Sequence, residues 1–304
     1  MEDPKSAAIR TQIFEWLQQK TIEYDDVLPY HEIKTGFTYG GNPVPLMGPQ
    51  GIFKPKLIQY YPISITTSPN SPYSDKISEN STISYKYRGN NSNFHENVRL
   101  KEAMKNKIPL IYFHGVIKAK YLAQFPVFIA GADDRNLTFT VEADAGLNSV
   151  WNKMNEDRAN DPVYDEVRRR YITSEVVIRL HQQAFREKVL HAYRDHCAFC
   201  SLKHRELLDA AHILPDNEGG RASVSNGLSL CKIHHAAFDK NILGINEDFR
   251  IEVRQDILEE VDGPMLKYGL QEMNHKAILL PRSAANRPDR EFIRERYERF
   301  LKVG

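Results

Sequence analysis

The three cysteines of this 304-residue chain are grouped with one histidine, and this grouping constrains the fold more than any other feature. Cys197 and Cys200 are separated by two residues, and Cys231 and His234 repeat that spacing further along the chain. Two such pairs are typical of a structural zinc site, in which four sulfur and nitrogen ligands surround the ion and exclude water. The alternative is three core cysteines beside an incidental histidine. Cysteines so few and so paired do not indicate a disulfide framework, and the N-terminus lacks a signal-peptide pattern, so we expect a reducing cytoplasm.

A second set of polar residues is threaded through the zinc ligands. His212 lies in an apolar, strand-like run, Asn226 follows it, and His235 and Asp239 come after the last zinc ligand. The segment 231–240 is predicted to be helical, which places His235 and Asp239 on one face because residues four apart are neighbours on a helix. The spacing therefore predicts a strand, a loop and a helix that converge on one point.

The order of these residues resembles the HNH nuclease motif, a ββα-metal finger in which a hairpin and a helix hold one divalent ion. The resemblance covers roughly residues 190–250 and implies phosphodiester hydrolysis. A neutral imidazole at His212 would then activate water as the general base. Asn226 would hold the loop and orient that base, and His235 would bind a catalytic Mg²⁺ or Mn²⁺ that stabilises charge on the phosphoryl and leaving oxygens.

One position departs from the usual pattern of this family. Many members have Asp or His directly before the base, where this chain has Ala211. The acid lies three residues before His212, at Asp209, an arrangement that related restriction-type HNH sequences share. Asp239 or Asp209 would add the hard oxygen ligand that magnesium and manganese prefer. Two alternatives stay open. His212 is alternatively a core histidine with its hydrogen bonds satisfied, and Asp239 is alternatively a surface acid.

The N-terminal half has a different character. Residues 5–20 form a predicted amphipathic helix with Ile9, Ile13, Phe14 and Leu17 on one side. From about 30 to 140, short β-branched and aromatic runs alternate with Gly, Pro, Asn and Ser turns, and only Glu96–Lys105 has a helical pattern. The predicted strands are Gly51–Lys54, Tyr60–Thr67, Thr82–Tyr87, Leu110–Val116, Pro126–Ala130 and Leu137–Val141. Many short strands with one helix predict a curved sheet or barrel.

Two pieces of this region resemble the SRA (YDG) domain, a PUA-like barrel that binds modified cytosine. The segment Tyr85–Gly89 is similar to the strand end of that family. The segment Asn97–Ala103 followed by Pro109–Gly115 is similar to its helix and following strand, although Tyr112 and His114 stand where the family often has arginines. The resemblance spans roughly residues 70–117 and implies that a target base is flipped out of the duplex into a pocket.

The resemblance also implies which residues would hold the flipped base. Tyr73 and Tyr87 would stack on it, and Asp75 would accept a hydrogen bond from the cytosine amino group. The alternative for Tyr87 is a core or cross-strand aromatic, as strand aromatics usually are.

We therefore expect an α+β chain with an SRA-like β-barrel domain at 1–150, a helical linker at 151–189 and an HNH domain at 190–304. From Val163 to Tyr193 the chain is predicted to form one or two helices, and this is its most basic stretch. A net charge of +1 is low for a DNA-binding protein, but a nuclease needs only local basic surface. After the motif, Leu243–Val253 is predicted to be one closing strand, and a charged helix is predicted to end at Leu301.

The sequence thus predicts a modification-dependent restriction endonuclease of the bacterial cytoplasm, acting on double-stranded DNA that carries modified cytosine. One HNH site cuts one strand, so double-strand cleavage predicts a homodimer. The first alternative is an HNH nuclease whose N-terminal domain reads unmodified DNA or senses an activating ligand. The second is a non-catalytic reader of modified DNA in which the zinc site only supports the fold.

Overall fold

The computed structural model describes residues 2–69, 83–143, 162–215 and 220–303, and for 162–172, 174 and 175 it describes the helical backbone alone. The contacts within the chain divide it into two compact units, Met1–Gln183 and Ala184–Gly304. The division falls inside one long helix, Pro162–Ala192. The predicted domain limits at 150 and 189 stay a prediction. None of the helices in the described ranges is both long enough and apolar enough to cross a membrane.

The first unit combines a sheet with helices. Its described elements, in chain order, are α1 (Pro4–Glu23), β1 (Val27–Pro29), α2 (Tyr30–Thr35), β2 (Phe37–Tyr39), β3 (Asn42–Val44), β4 (Ile52–Phe53), β5 (Ser64–Thr67), β6 (Ile83–Lys86), α3 (His95–Lys105), β7 (Leu110–Ile117), β8 (Lys120–Asp133) and β9 (Thr138–Ala143), followed by α4 (Pro162–Ala192). Seven strands form one curled, half-barrel sheet in the order β4-β5-β7-β8-β9-β6, with β1 added beside β8. The predicted mixture of helices and a curved sheet is confirmed at this level.

The long strand β8 organises the sheet. Its first residues pair with both β1 and β7, and its second half pairs with β9. Pro126 lies where the pairing with β7 shifts register, between Gln124 opposite Tyr112 and Val127 opposite Leu110. Proline lacks the N–H that a regular ladder needs, so it is tolerated at such an irregularity.

The helix α1 covers the core of the first unit. Ile9, Ile13 and Leu17 are fully buried, and they pack with residues of β7 such as Ile111 and Phe113. The spacing of three and four residues between these positions is that of one helix face, so the predicted amphipathic helix is confirmed.

The prediction that only 96–105 is helical between 30 and 140 is wrong. Tyr30–Thr35 forms the short helix α2, which begins after Pro29 and ends at Gly36 with a positive φ of 70°. Six residues are too few to show helical periodicity in the sequence. The hairpin β2–β3 was also not predicted, although Gly40 and Gly41 have the positive φ values, 54° and 78°, that tight hairpin turns require.

The second unit contains a hairpin followed by a helix. Its described elements after α4 are β10 (Leu208–His212), β11 (Gly227–Cys231), α5 (Lys232–Asp239), β12 (Leu243–Ile245), β13 (Ile251–Val253), α6 (Gln255–Glu259), α7 (Pro264–Gly269) and α8 (Arg290–Leu301). The predicted single strand at 243–253 is wrong, because β12 and β13 pair with each other as a hairpin across a turn at 246–250. The predicted C-terminal helix ending at Leu301 is confirmed.

Candidate active site and metal centre

The four predicted zinc ligands converge at the start of α5. Their ligand atoms all lie within 4.8 Å of one another, with Cys197, Cys231 and His234 buried and Cys200 exposed. The Nδ1 atom of His234 lies 3.5 Å from Sγ of Cys197 and 3.2 Å from Sγ of Cys231. Two ligands of a tetrahedral zinc ion, one sulfur and one nitrogen, lie about 3.5 Å apart. The donor set and its spacing therefore fit zinc.

Local backbone structure explains this convergence. The turn at Cys197–Cys200 is closed because Ser201 N–H donates to Cys197 O and Cys197 N–H donates to Leu202 O, each at 2.9 Å. In the hairpin, Leu208 of β10 is opposite Cys231 of β11, and α5 begins at the next residue. The hairpin and the helix start thus fix the positions of the second ligand pair.

The orientation of His234 is set by a backbone carbonyl. Its Nε2 lies 2.8 Å from the oxygen of Gly269, to which a protonated Nε2 donates. That tautomer leaves the Nδ1 lone pair facing the sulfurs, which is how metal-bound histidines are commonly held. Burial lowers the pKa of His234, but hydrogen bonds with Cys197 and Cys231 outweigh it and raise the pKa to about 10. A proton and a metal ion therefore compete for the same position at Nδ1.

The pKa values of two of the cysteines are also shifted, because the three sulfur atoms lie close together. Hydrogen bonding with Cys197 and then with Cys200 lowers the pKa of Cys231, whereas hydrogen bonding with Cys197 and Cys231 raises that of Cys200. The sulfurs are close enough to share protons, so one cation that replaces those protons would meet three thiolates.

His212 is the last residue of β10, where it is paired with Gly227 of β11. Its ring stacks on Phe185 of α4, with centroids 4.1 Å apart and planes tilted by 10°. A Cβ atom at Gly227 would lie 2.4 Å from Val189 and 3.0 Å from Phe185, so only glycine lets α4 approach the hairpin here. The imidazole is half-buried and its plane is fixed by the aromatic ring.

Asn226 is fully buried and binds the chain directly after His212. Its Oδ1 accepts from Leu214 N–H at 2.9 Å, and its Nδ2 donates to the carbonyls of Leu214 at 2.9 Å and Arg221 at 3.0 Å. Gly220 is required beside it, because a Cβ there would lie 1.9 Å from Leu214 O. The asparagine thus holds the loop that follows the candidate base.

His235 faces away from the zinc ligands and lies between two carboxylates. Its Nδ1 is 3.7 Å from Oδ2 of Asp209, and its Nε2 is 3.4 Å from Oδ2 of Asp239. Two atoms that share one Mg²⁺ ion at about 2.1 Å each are at most about 4.2 Å apart, so either pair can hold an ion. The two acids sit on opposite ring nitrogens, so an ion bound at one nitrogen involves only one of them directly.

The sequence prediction missed two arginines, one that contacts Asp209 and one that binds the residue before Asp239. Arg186 of α4 has its Nε 3.8 Å from Oδ1 of Asp209, and its Nη2 donates to Leu208 O at 3.0 Å. Arg296 of α8 donates to Phe238 O at 2.6 Å, and burial lowers its pKa while the charge of Asp239 opposes that change. Arg186 belongs to the basic stretch that the sequence shows, but no spacing rule links either arginine to the motif.

Of the residues predicted to bind a base, the structure describes only Tyr87, which belongs to the first unit. Tyr73 and Asp75 lie outside the described residues. Tyr87 is 6% exposed, its ring stacks on Phe139 at 4.1 Å, and its hydroxyl donates to Asp134 at 2.8 Å. The ammonium of Lys101 lies 5.3 Å from the centroid of the same ring. A base could therefore stack on the face that Phe139 covers only if Phe139 moved.

Comparison with known proteins agrees with the geometry of the second unit. A family model described as HNH endonuclease matches residues 197–246, a range that contains all four candidate zinc ligands, His212, Asn226 and His235. No curated protein matches the chain. A solved structure titled "Modification dependent TagI restriction endonuclease" is 13% identical, with 79% of this chain and 82% of that chain covered and a TM-score of 0.28, values too low to carry an argument. The family match identifies residues 197–246 as an HNH endonuclease domain and supports an HNH-type nuclease.

Proposed function

We propose that the chain is a DNA endonuclease that hydrolyses phosphodiester bonds at its HNH site and is directed to modified cytosine by its N-terminal unit. Its role would be restriction of foreign DNA. The observation that carries the catalytic half is the pairing of a fixed imidazole, His212, with a separate cluster of metal-ligand type around His235. General-base catalysis and charge stabilisation are the two requirements of this hydrolysis.

In this proposal each residue of the site has one task. His212 takes a proton from the attacking water, and its plane is held by Phe185. Asn226 does not touch the substrate; it positions His212 through the loop it binds. A bound Mg²⁺ or Mn²⁺ supplies Lewis-acid stabilisation of the charge that develops on the phosphate and the leaving oxygen.

Asp209 is the better partner for His235 in holding that ion. Asp209 stands on a strand and its carboxylate is 37% exposed, whereas the carboxylate of Asp239 is 56% exposed near the end of α5. A ligand on a paired strand is better fixed, and Arg186 further restricts Asp209. Asp239 then accepts a hydrogen bond from the other nitrogen of His235, the usual role of a carboxylate behind a metal-bound histidine.

The proposal for the N-terminal unit is supported by another buried asparagine. Asn97 of α3 is fully buried, accepts from Arg88 N–H at 2.9 Å, and donates to the carbonyls of Arg88 and Asn91 at 3.0 Å each. These bonds join the two pieces that resemble the SRA domain, Tyr85–Gly89 and Asn97–Ala103. The strand end and the helix are thus held as one unit, as a base-binding turn requires.

One observation favours a second candidate function. The Tyr87 ring stacks on Phe139, the ammonium of Lys101 lies 5.3 Å from its centroid, and its hydroxyl donates to Asp134. An N-terminal unit that reads unmodified DNA, or that senses an activating ligand, would not need this ring to be free. The nuclease assignment is the same in both candidates.

Cleavage of matched plasmids tests the proposal. Unmodified plasmid and plasmids carrying 5-methylcytosine or 5-hydroxymethylcytosine are incubated with the full chain and Mg²⁺ or Mn²⁺, alongside His212→Ala. We expect cleavage of modified DNA only, reduced about 10²- to 10⁴-fold by His212→Ala. Equal cleavage of all plasmids would reject recognition of modified cytosine and favour the second candidate.

The products also report the oligomeric state. One HNH site cuts one strand, so linear product that rises with the square of enzyme concentration indicates the proposed homodimer. Nicked product at all concentrations contradicts it.

A further inference from the structure

A pocket of about 250 Å³ opens in the first unit, far along the sequence from the HNH residues. It lies between the chain around β4 and the first turns of α3. Its polar and charged lining comes from Gln50, Lys54, His95, Glu96 and Arg99, and Phe53 contributes an apolar wall. Pockets for drug-sized ligands have volumes of about 300–1,000 Å³, so this one suits a smaller group.

Two cations, Lys54 and Arg99, line the same pocket. Burial lowers the pKa of Lys54, and the positive charge of Arg99 lowers it further. The ammonium of Lys54 donates to Ile58 O at 2.7 Å, which fixes its direction. Across the described ranges, neither Lys54 nor Arg99 forms an ion pair with an acid. Two positive charges that line one pocket and form no ion pair of their own favour the binding of an anion.

The acid of the pocket is already neutralised. Glu96 is 4% exposed and forms a close ion pair with Arg88, while its Oε2 lies 3.1 Å from Nδ1 of His95. Its charge is therefore balanced by a guanidinium that is not part of the lining. The remaining charge of the pocket is positive.

The start of α3 adds to the positive charge at the pocket. The helix has eleven residues, and Phe94, the residue before it, provides no side-chain hydrogen bond to its first amides. The first N–H groups of a helix lack intrahelical partners and carry a partial positive charge. His95, Glu96 and Arg99 are on the side of the helix that lines the pocket, so this end of α3 is next to the two cations.

We propose that this pocket binds a phosphate group, held by Lys54 and Arg99 at the start of α3. The phosphate comes either from the backbone of bound DNA or from a free nucleotide. Arg99 offers a planar set of donors that matches phosphate oxygens, and Lys54 adds a point charge. The pocket acts independently of the base that the unit reads.

Binding of a short labelled duplex without cytosine modification tests the proposal. The full chain is titrated by fluorescence anisotropy at several salt concentrations, with no divalent metal added, for wild type, Lys54→Gln and Arg99→Gln. Each variant is expected to weaken binding about tenfold. Each should also reduce the slope of log affinity against log salt by about one. Lys56→Gln is the matched control, because Lys56 is exposed in the same segment and does not line the pocket.

A second arm identifies the source of the phosphate. Inorganic phosphate and a deoxynucleoside 5′-monophosphate are titrated into the same proteins by calorimetry. Loss of duplex binding in the two variants identifies a backbone phosphate, and loss of monophosphate binding alone identifies a free nucleotide. If both variants behave as Lys56→Gln does in both arms, the proposal is overturned.

Folding and catalysis are separated from this result. The thermal midpoints of all variants are compared. If Arg99→Gln lowers the midpoint, Arg99→Lys is tested in the same way, because it keeps the positive charge. Because no cleavage is measured, a negative result here leaves the nuclease proposal intact, and a plasmid that is not cut leaves this one intact.

Discussion

Two adjacent histidines on α5 lead to two different sites. His234 is 3% exposed and faces three sulfurs, whereas the side chain of His235 is 28% exposed and faces two carboxylates. The same residue type, one position apart, is therefore placed in a closed site of soft ligands and in an open site of hard ligands. Neighbouring residues on a helix point about 100° apart, which is enough to separate the two environments.

The difference shows how ligand type and burial distinguish a structural metal site from a catalytic one. A complete set of four ligands excludes water and leaves the ion no reaction to perform, so its contribution is to stability. A cluster of one imidazole and oxygens that remains open to solvent leaves positions for water and substrate. The hairpin serves both sites, because Leu208 is opposite Cys231 of the Cys/His cluster while the next residue, Asp209, lies beside His235.

The largest effect is expected from removing one ligand of the Cys/His cluster. Cys231→Ser removes a buried ligand, and structural zinc contributes an apparent ~10–16 kcal/mol to folding, so the second unit should lose its fold. Zinc content per chain and the thermal unfolding profile measure this, and both zinc and nuclease activity should be lost together.

The matched control for that variant is His234→Cys. Four cysteines also bind zinc, so this variant should retain the ion and most of the stability, whereas His234→Ala should not. Retention of zinc and of a normal melting profile in Cys231→Ser would contradict a folding role for the cluster.

The sequence predicted the parts of both sites that depend on short spacing. The two-residue gaps in each ligand pair lie in one turn or at one helix start, so local structure alone brings their side chains together. The four-residue gap between His235 and Asp239 is likewise a helix face. The strands of the first unit followed from short β-branched runs between turn residues, and each predicted strand from 51 to 141 overlaps an observed one.

Contacts made by packing of distant segments could not be predicted. Arg186 of α4 contacts Asp209, and Arg296 of α8 binds Phe238 O next to Asp239, but neither arginine has a fixed spacing from the motif. The coverage of Tyr87 by Phe139 and Lys101 depends on how β6, β9 and α3 pack, whereas the alternation of a strand shows only which face a ring occupies. Propensity and spacing are local, and these contacts are not.

The second largest effect sharpens the contrast between the histidines. His235→Ala should lower the cleavage rate by at least about a thousandfold, because metal binding supplies several kcal/mol of transition-state stabilisation. Zinc content and the thermal midpoint should stay at wild-type values. Lys232→Ala, an exposed residue of the same helix, controls for a general effect on α5. A loss of zinc in His235→Ala would show that the two sites are not separate.

A smaller effect distinguishes the two acids beside His235. Asp209→Asn should behave like loss of a ligand and raise the Mg²⁺ concentration needed for half-maximal cleavage more than a hundredfold. Asp239→Asn should change activity about 10- to 100-fold, the usual effect of losing the carboxylate behind a metal-bound histidine. Titration of cleavage rate against Mg²⁺ and Mn²⁺ measures both. The reverse order of the two variants would transfer the ion to the Nε2 side of the ring and make Asp239 its ligand.

The smallest effect concerns Arg186, which joins the open site to α4. Its guanidinium lies beside Asp209 and also donates to Leu208 O and Arg205 O, so a purely structural role is a real alternative. A positioning role predicts that Arg186→Gln raises the half-saturating Mg²⁺ concentration about tenfold with little change in the rate at saturating metal. Arg186→Lys, which keeps the charge, should recover part of the metal affinity, and Arg194→Gln is the exposed control from the same region. A structural role would instead lower the thermal midpoint and the saturated rate together and would not respond to the retained charge. A change in the half-saturating Mg²⁺ concentration without a change in the saturated rate would therefore show that Arg186 positions Asp209. The metal site around His235 would then depend on a residue that does not bind the ion itself.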